Sequence, residues 1–506
     1  MTYNTSFFCP KVVGLHVFLY VCTSISEKMD WALLLNQVLG FVFDMLLPIT
    51  IIGAIIIIIL DNRNPVKSLA WILVLVFLPI VGLILYYFFG RDTRRIRIIN
   101  KKTYGRMLEK PMAEYLAQQE TFLPHNYSRL ISLFRNNTQA LPFDGNGVEI
   151  YTSGNQMLDS LMQQLEQATK HIHLQFYIFE DDSVGQQVKE MLMRKARQGV
   201  EVRVLYDDVG CWHVSRKFFQ EMEEAGVQVH AFLEVRFPRF ASGMNYRNHR
   251  KVVVIDGEVG YIGGMNLADR YVNGVPWGVW RDTHVKITGK AVHGLQTIFL
   301  LDWYFVSGTL LTDGRYFPSL DDCGDSLIQI VAGSPVGPWR EIMQGLTMSI
   351  ALAKNYFYIQ TPYFMPTESV RMALTTAAVS GVDVRLMIPR RADSWLVNKA
   401  SRSYLRDMLQ AGVKVYFYEK GFLHSKMLVS DDMLSSIGSA NIDFRSFEHN
   451  LEANAFIYDE ATATKLRELF LADQRDCTQL SLKSWKKRPW YNKFSESVVR
   501  LLSPLL

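Results

Sequence analysis

Asn248-His249-Arg250-Lys251-Val252-Val253-Val254-Ile255-Asp256 and Leu423-His424-Ser425-Lys426-Met427-Leu428-Val429-Ser430-Asp431 carry one pattern, H-x-K-x4-D, in the two halves of a 506-residue chain. Each copy runs on into a second signature at the same distance: Gly263-Gly264-Met265-Asn266 after the first, Gly438-Ser439-Ala440-Asn441 after the second. A chain of this length carries one such pattern by chance with a probability on the order of a few per cent, so a single copy is weak. Two copies with matching tails point to an internal duplication.

The similarity extends well beyond the motifs. His171-Ile172-His173-Leu174-Gln175-Phe176-Tyr177 has a counterpart in Tyr356-Phe357-Tyr358-Ile359-Gln360-Thr361-Pro362. Gly199-Val200-Glu201-Val202-Arg203 is answered by Gly381-Val382-Asp383-Val384-Arg385, and Ala225-Gly226-Val227 by Ala411-Gly412-Val413. The motif histidines lie closer together than these segments do, so the first half carries about 11 extra residues around Phe237 to Met244, with Arg236 and Arg239 among the phenylalanines. That insert either shapes a substrate entrance or is a longer loop. Short β-rich runs alternate with amphipathic helical stretches from about residue 145 onward, which predicts α/β layers.

Within Asn248 to Asp256 the valines and isoleucine predict a strand, so His249 and Lys251 point to one face and Asp256 to the other. His424 and Lys426 repeat the arrangement. A nucleophile and a cation thus converge on one anionic group, while Asp256, before Gly257, and Asp431, before Asp432, fall at turns. A neutral imidazole that attacks phosphorus splits one difficult displacement into two easier ones. The second imidazole would then protonate the leaving alkoxide, since histidine titrates near neutrality. Lys251 and Lys426 would supply fixed positive charge, and Asn266 and Asn441 neutral donors. A lysine two residues from each histidine would repel a divalent cation, so neither a metal nor another cofactor is expected.

The doubled motif resembles the phospholipase D superfamily, whose members build one active site from two such halves. The resemblance implies two pseudo-symmetric lobes of mixed sheet flanked by helices, with phosphodiester chemistry through a phosphohistidine and the first histidine as nucleophile. It also implies a carboxylate after each G-[GS]-x-N segment that orients a histidine. Asp282 in Trp280-Arg281-Asp282-Thr283-His284 and Glu452 in Asn450-Leu451-Glu452 are the positions that match. The candidate catalytic set is therefore His249, Lys251, Asp256, His424, Lys426 and Asp431, supported by Asn266, Asn441, Asp282 and Glu452. Within the superfamily the chain is most similar to bacterial cardiolipin synthases, through Ser68-Leu69-Ala70-Trp71, Leu78-Pro79-Ile80-Val81-Gly82, Asn245-Tyr246-Arg247-Asn248 before the first histidine and Ile442-Asp443-Phe444-Arg445-Ser446-Phe447 after the second asparagine. That likeness implies transfer between two phosphatidylglycerol molecules, giving cardiolipin and glycerol. A nuclease would share the histidines, but two membrane helices would place its site badly for nucleic acid. A non-catalytic scaffold would be expected to lose motif residues, and both motifs are intact.

Charged residues (20%) and aromatics (12%) are at ordinary globular levels, so the excess hydrophobicity is local. Met45 to Leu60, extended backward by Val38 to Val42, and Leu69 to Phe89 are almost wholly apolar. Each can supply the roughly 20 residues of a membrane-crossing helix, so a transmembrane hairpin is expected, with a loop from Asp61 to Ser68 and a kink at Pro79. Arg91, Arg94, Arg95, Arg97, Lys101, Lys102, Arg106 and Lys110, opposed only by Asp92 and Glu109, place the bulk of the chain on the cytoplasmic side of a bacterial membrane. Val12 to Cys22 is too short to span reliably, and is either a signal-like segment or an extension before Met29. The five cysteines have no paired or metal-like spacing and are expected to be reduced. Near the C-terminus Lys483, Trp485, Lys486, Lys487, Arg488, Trp490, Tyr491 and Lys493 mix cations with aromatics; this segment either lies on an anionic leaflet or packs as an amphipathic helix on the second lobe. The expected organisation is an extension (1–30), the hairpin (31–92), a basic linker (93–144) and two lobes (145–310 and 311–506).

Overall fold

The computed structural model describes residues 36–37, 40–41, 45–60, 65–90, 124–234 and 246–504. The extension at 1–30, the basic stretch at 91–110 and the insert at 237–244 lie outside the described residues. The chain divides into two compact units, residues 1–91 and 92–506.

In the first unit, Leu47–Leu60 is one apolar helix. The second apolar run is not a single helix. Pro65–Phe77 and Pro79–Leu85 are separate α-helices, followed by a π-helical turn at Tyr86–Gly90. Pro79 has no N–H to continue the ladder and sits at the first position of the new helix, where none is needed. Pro65 opens the preceding helix in the same way, so Pro65 to Ser68 belong to it rather than to the expected loop. Among the described residues no helix is long and apolar enough to cross a membrane. The packed stripe is narrow: Ala54, Ile58, Leu75 and Tyr86 are buried, whereas Ile49, Ile57, Leu60 and Phe77 are exposed.

The second unit is built on one 16-stranded sheet. In chain order its first-half strands are β1 (Pro142–Tyr151), β2 (His171–Phe176), β3 (Glu201–Asp207), β4 (Gln228–Phe232), β5 (Arg247–Asn248), β6 (Val252–Ile255) and β7 (Val259–Gly263), then β8 (Val279–Arg281), which lies apart, and β9 (His284–Thr288). The second half adds β10 (Ser326–Gly333), β11 (Tyr356–Gln360), β12 (Asp383–Pro389), β13 (Lys414–Tyr418), the separate β14 (Gly421–Leu423), β15 (Met427–Ser430), β16 (Leu434–Gly438), β17 (Asn450–Tyr458) and β18 (Cys477–Gln479). The order β13-β12-β11-β15-β16-β17-β10 meets β1-β9-β7-β6-β2-β3-β4 at the antiparallel β10–β1 pair. Each half thus repeats the other outward from a central joint, as the duplicated sequence predicts.

Three strands near each outer end run parallel, β2-β3-β4 and β11-β12-β13, and the other pairs along this order are antiparallel. A parallel strand buried on both faces reads as a near-continuous hydrophobic run, as in Leu386-Met387-Ile388 of β12. One apolar cluster crosses the joint, bringing Val285, Ile287 and Leu295 together with Ile328, Ile330 and Ala455. Burying such a side chain contributes roughly 1.5–3 kcal/mol, so the two halves share a core. Trp490–Arg500 forms a helix near the C-terminus; it buries Val499, and its Ser495 hydroxyl lies 3.0 Å from Lys399 Nζ on the helix Trp395–Gln410.

Asp256 and Asp431 hold this sheet together at equivalent turns. Both have left-handed backbone (φ 55° and 51°), a conformation that Asp tolerates better than most residues. The Asp256 carboxylate accepts the N–H groups of Thr169, Lys170 and His171 at 2.7–2.8 Å, and Asp431 accepts those of Lys354, Asn355 and Tyr356 at 2.7–3.0 Å. Each therefore fixes the start of the strand beside its own, and neither contacts a motif histidine. Burial pushes the Asp256 carboxyl up, and the backbone donors outweigh this and hold it below its usual range. Replacing Asp431 with Ala removes the acceptor of three backbone donors and is expected to cost about 2–3 kcal/mol. The thermal midpoint falls accordingly, with a smaller loss for Asp431→Asn; an unchanged midpoint in the alanine variant contradicts this role.

Candidate active site

The strand expected from Asn248 to Asp256 is interrupted at His249-Arg250-Lys251, and its counterpart is interrupted at His424-Ser425-Lys426. At both places the chain leaves its own half. β5 runs parallel to the start of β17, pairing Arg247 with Asn450 and Asn248 with Leu451. β14 runs parallel to β8 in the first half, pairing Leu423 with Arg281. The His249 N–H then donates to Leu451 O at 2.9 Å, and the His424 N–H to Arg281 O at 2.7 Å.

The residue after each of these carbonyls, Glu452 within β17 and Asp282 just past the end of β8, is an orienting carboxylate, so the histidines exchange partners across the halves. His249 Nδ1 lies 3.0 Å from both Glu452 oxygens, and His424 Nδ1 lies 2.6 Å from Asp282 Oδ2. The sequence matches both carboxylates to the pattern without saying which histidine each serves. The tails fit the carboxylates. Ser439 Oγ donates to Glu452, whereas at its counterpart Gly264 an added Cβ would collide with Asp282 Oδ1.

A buried latch backs each pair. Arg250 Nη1 donates to both oxygens of Asp302 at 2.7 Å, while its Nε and Nη2 donate to Glu452 O and Gly333 O, each at 3.0 Å. Gln175 and Asn248 donate to the same aspartate. In the other half Arg281 Nε and Gln360 Nε2 donate to Asp473 at 3.0 and 2.8 Å, and Arg281 also reaches Asp282 O. Sequence reasoning missed Arg250, Asp302 and Asp473; the paired Gln175 and Gln360 in the repeated segments were the available signal.

Lys251 and Lys426 lie buried beneath the histidines. Lys251 Nζ donates to His249 O at 2.6 Å, and Lys426 Nζ donates to His424 O. Lys426 Nζ also lies 2.8 Å from His424 Nδ1; with the Nδ1 proton directed to Asp282, this is a contact of charge that disfavours a cationic ring. Burial pushes His249 down to about 4 against the pull of Glu452, and burial and Lys426 push His424 down to about 4. Glu452 would be raised by burial, but His249, Lys251 and Ser439 hold it at about 2; Asp282 is likewise lowered, because Lys426 and His424 outweigh burial. Burial lowers Lys251 to about 7 and Lys426 to about 8. At neutral pH two neutral imidazoles therefore face two ionised carboxylates, with the lysines close to their titration points.

Both histidines line one cavity of about 530 Å³, with Tyr177, Tyr271, Trp280, Tyr363, Asn266 and Asn441 on its walls. Tyr177 packs edge-on to His249 at 5.0 Å, and Trp280 lies 5.0 Å from His424. Asn266 is already engaged: its Oδ1 accepts the Ile178 N–H at 3.0 Å and its amide donates to Tyr271. Asn441 Oδ1 is buried without a partner among the described residues. Among those residues no group of three His, Cys, Asp or Glu side chains is arranged to hold a metal ion.

A single cavity walled by two halves, each giving one histidine and the other's carboxylate, defines a phospholipase D-like fold and site. The family model described as "Cardiolipin synthase, PLD-like domain" matches residues 161–295 and 346–474, and "Phospholipase_D-nuclease N-terminal" matches 49–91. The cardiolipin synthase of Halalkalibacterium halodurans is 41% identical over 479 residues, covering 92% of this chain and 94% of that one. That of Geobacillus kaustophilus is 42% identical over 478 residues, covering 93% and 95%. The crystal structure of phosphatidylserine synthase from Haemophilus influenzae superposes with a TM-score of 0.58 at 13% identity, covering 75% of this chain and all of that one, which shows the shared fold. The chain belongs to the cardiolipin synthase family, phosphatidyltransferases of the phospholipase D superfamily.

The lowered lysines set a pH dependence. A lysine keeps its cation below its pKa, so the charge beneath the histidines is lost as pH rises through about 7 to about 8. The value of kcat/KM, which follows ionisations of the free enzyme, is expected to fall over that window. A profile of phosphatidyl transfer that stays flat well above it contradicts the assigned lysine environment.

Proposed function

We propose that this protein joins two phosphatidylglycerol molecules into cardiolipin with release of glycerol, by two displacements through a phosphohistidine. The observation that carries the reading is the crosswise pair of carboxylate-held histidines on one cavity; the family's named relatives supply the substrate class. His249 Nε2 attacks the donor phosphorus, forming an N–P bond as the bond to the glycerol headgroup breaks, and His424 gives its proton to the departing alkoxide. A hydroxyl of the second phosphatidylglycerol then passes its proton to His424 and attacks phosphorus, breaking the N–P bond. The sequence is reversible because the same groups serve both directions.

The Nδ1 contacts of both rings to carboxylates leave Nε2 as the reacting nitrogen, in the manner of other histidine–carboxylate sites. Histidines held near 4 favour the nucleophile's neutral form. The acid form of His424 then depends on the negative charge that the substrate phosphate brings, which raises the affinity of a nearby imidazole for protons. Lys251 and Lys426 stabilise the pentacovalent oxygens through charge, with Asn441 and Asn266 on the same walls. Asp256 and Asp431 serve this site through the strands they fix.

The lipid substrate is met at a bacterial cytoplasmic membrane. Exposed Ile49, Ile57, Leu60 and Phe77 on the N-terminal helices are suited to acyl chains, and the basic stretch from Arg91 to Lys110 favours lobes on the cytoplasmic side. The C-terminal helix supports the same setting: while packed on its neighbour it exposes Trp490, Tyr491 and Phe494 close in sequence to Lys483, Lys486, Lys487 and Lys493. We assign an N-terminal anchor at 31–92, a linker at 93–144 and lobes at 145–310 and 311–506.

His249→Ala and His424→Ala are each expected to abolish cardiolipin formation from labelled phosphatidylglycerol in micelles while leaving the protein folded. Near wild-type activity in either variant contradicts the mechanism. In wild-type protein quenched during turnover, the label is expected on a peptide containing His249; label on His424 reverses the two roles. Phosphatidic acid as the sole lipid product means hydrolysis.

A further inference from the structure

The cavity carries more positive charge than one phosphodiester requires. Besides the lysines beneath the histidines, Arg247, Arg270 and Arg445 line its walls. Arg270 pairs with Glu180 at 3.6 Å, and Arg247 is buried where Asp207 acts on it. Arg445 differs. It sits on the short helix Phe444–Glu448, is half-buried, and its guanidinium makes no hydrogen bond or ion pair with any described residue.

The two carboxylates on the same walls are otherwise occupied. Asp393 accepts the Tyr363 hydroxyl at 2.7 Å and the Ser394 N–H at 2.8 Å, and Asp443 accepts the Ser446 N–H at 2.7 Å. Arg445 also lies close enough to disfavour the charge on Arg247, and both act on the Tyr177 hydroxyl, whose ring packs against His249. Two like charges set together in a half-buried cavity are costly until an anion lies between them. Guanidinium groups suit a phosphate in particular, through paired, charge-assisted hydrogen bonds.

The proposed reaction supplies such an anion. The acceptor is itself a phosphodiester, and in the product its phosphorus is joined to the reacting one through a single glycerol. A second phosphate must therefore enter the same cavity at short range whenever the acceptor hydroxyl attacks. We propose that Arg445, with Arg247 behind it, binds the phosphodiester of the acceptor lipid, while the histidines and lysines hold the reacting phosphate. This subsite rests on the transferase reading and selects a phospholipid acceptor over water or a neutral alcohol.

The test compares two acceptors for one donor. Full-length protein in mixed micelles is given phosphatidylglycerol, and two rates are measured: cardiolipin formation, which uses a charged acceptor, and incorporation of labelled glycerol into phosphatidylglycerol, which uses a neutral one. The ratio of the first rate to the second is expected to fall at least about tenfold in Arg445→Gln, the loss for a charged hydrogen-bonded contact, and to recover partly in Arg445→Lys. A ratio unchanged from wild type in Arg445→Gln overturns the subsite, even if both rates fall. Absence of cardiolipin from the wild-type protein instead overturns the transferase reading, and the subsite with it.

Discussion

Everything at the site depends on an exchange of partners: each motif histidine is held by a carboxylate from the other half of the chain. The His249–Glu452 contact joins residues 203 apart in sequence, and the His424–Asp282 contact joins residues 142 apart. Neither half can orient its own histidine by these contacts. The backbone makes the same exchange, because β5 lies on β17 and β14 lies on β8. A shift of one half against the other would disturb both imidazoles together. The shared apolar cluster at the β1–β10 joint and the two aspartate latches, Asp302 with Arg250 and Asp473 with Arg281, resist such a shift.

The electrostatic consequence is a site whose buried charges are balanced before substrate arrives. Two buried lysines and two buried carboxylates offset each other, and the desolvation that depresses the lysines also keeps both imidazoles neutral. An isolated buried charge would cost several kcal/mol, and the paired arrangement avoids that penalty. An incoming phosphate then adds negative charge where the lysines and histidines gain most from it, which links substrate entry to protonation of the acid histidine in the proposed reaction. The spare cation at Arg445 fits the same logic for a second anion.

Much of this was legible in the sequence, for reasons that differ by residue. The duplication could be read because Gly199-Val200-Glu201-Val202-Arg203 and Gly381-Val382-Asp383-Val384-Arg385 need the same residues to start equivalent parallel strands. Parity assigned Asp256 and Asp431 to turns, since strand alternation is a local property. The break at His249-Arg250-Lys251 was not legible: its valine-rich continuation looks like unbroken strand, and only pairing with β17 explains the departure. The crosswise assignment was hidden for the same reason, because nothing local distinguishes Asp282 from Glu452 as partner for either histidine. In the first unit, Pro79 was legible as a kink in the run from Leu69 to Phe89, and the break there is complete, leaving two separate helices.

The exchange itself is open to direct measurement by nitrogen NMR of the full-length protein, labelled with ¹⁵N-histidine in detergent micelles and with the two motif rings assigned by His249→Asn and His424→Asn. Ring-nitrogen shifts report tautomer and hydrogen bonding at each imidazole. Glu452→Gln is expected to move the His249 resonances and leave those of His424 in place, and Asp282→Asn to do the reverse. A Glu452→Gln change that appears at His424, or at neither ring, would contradict the account.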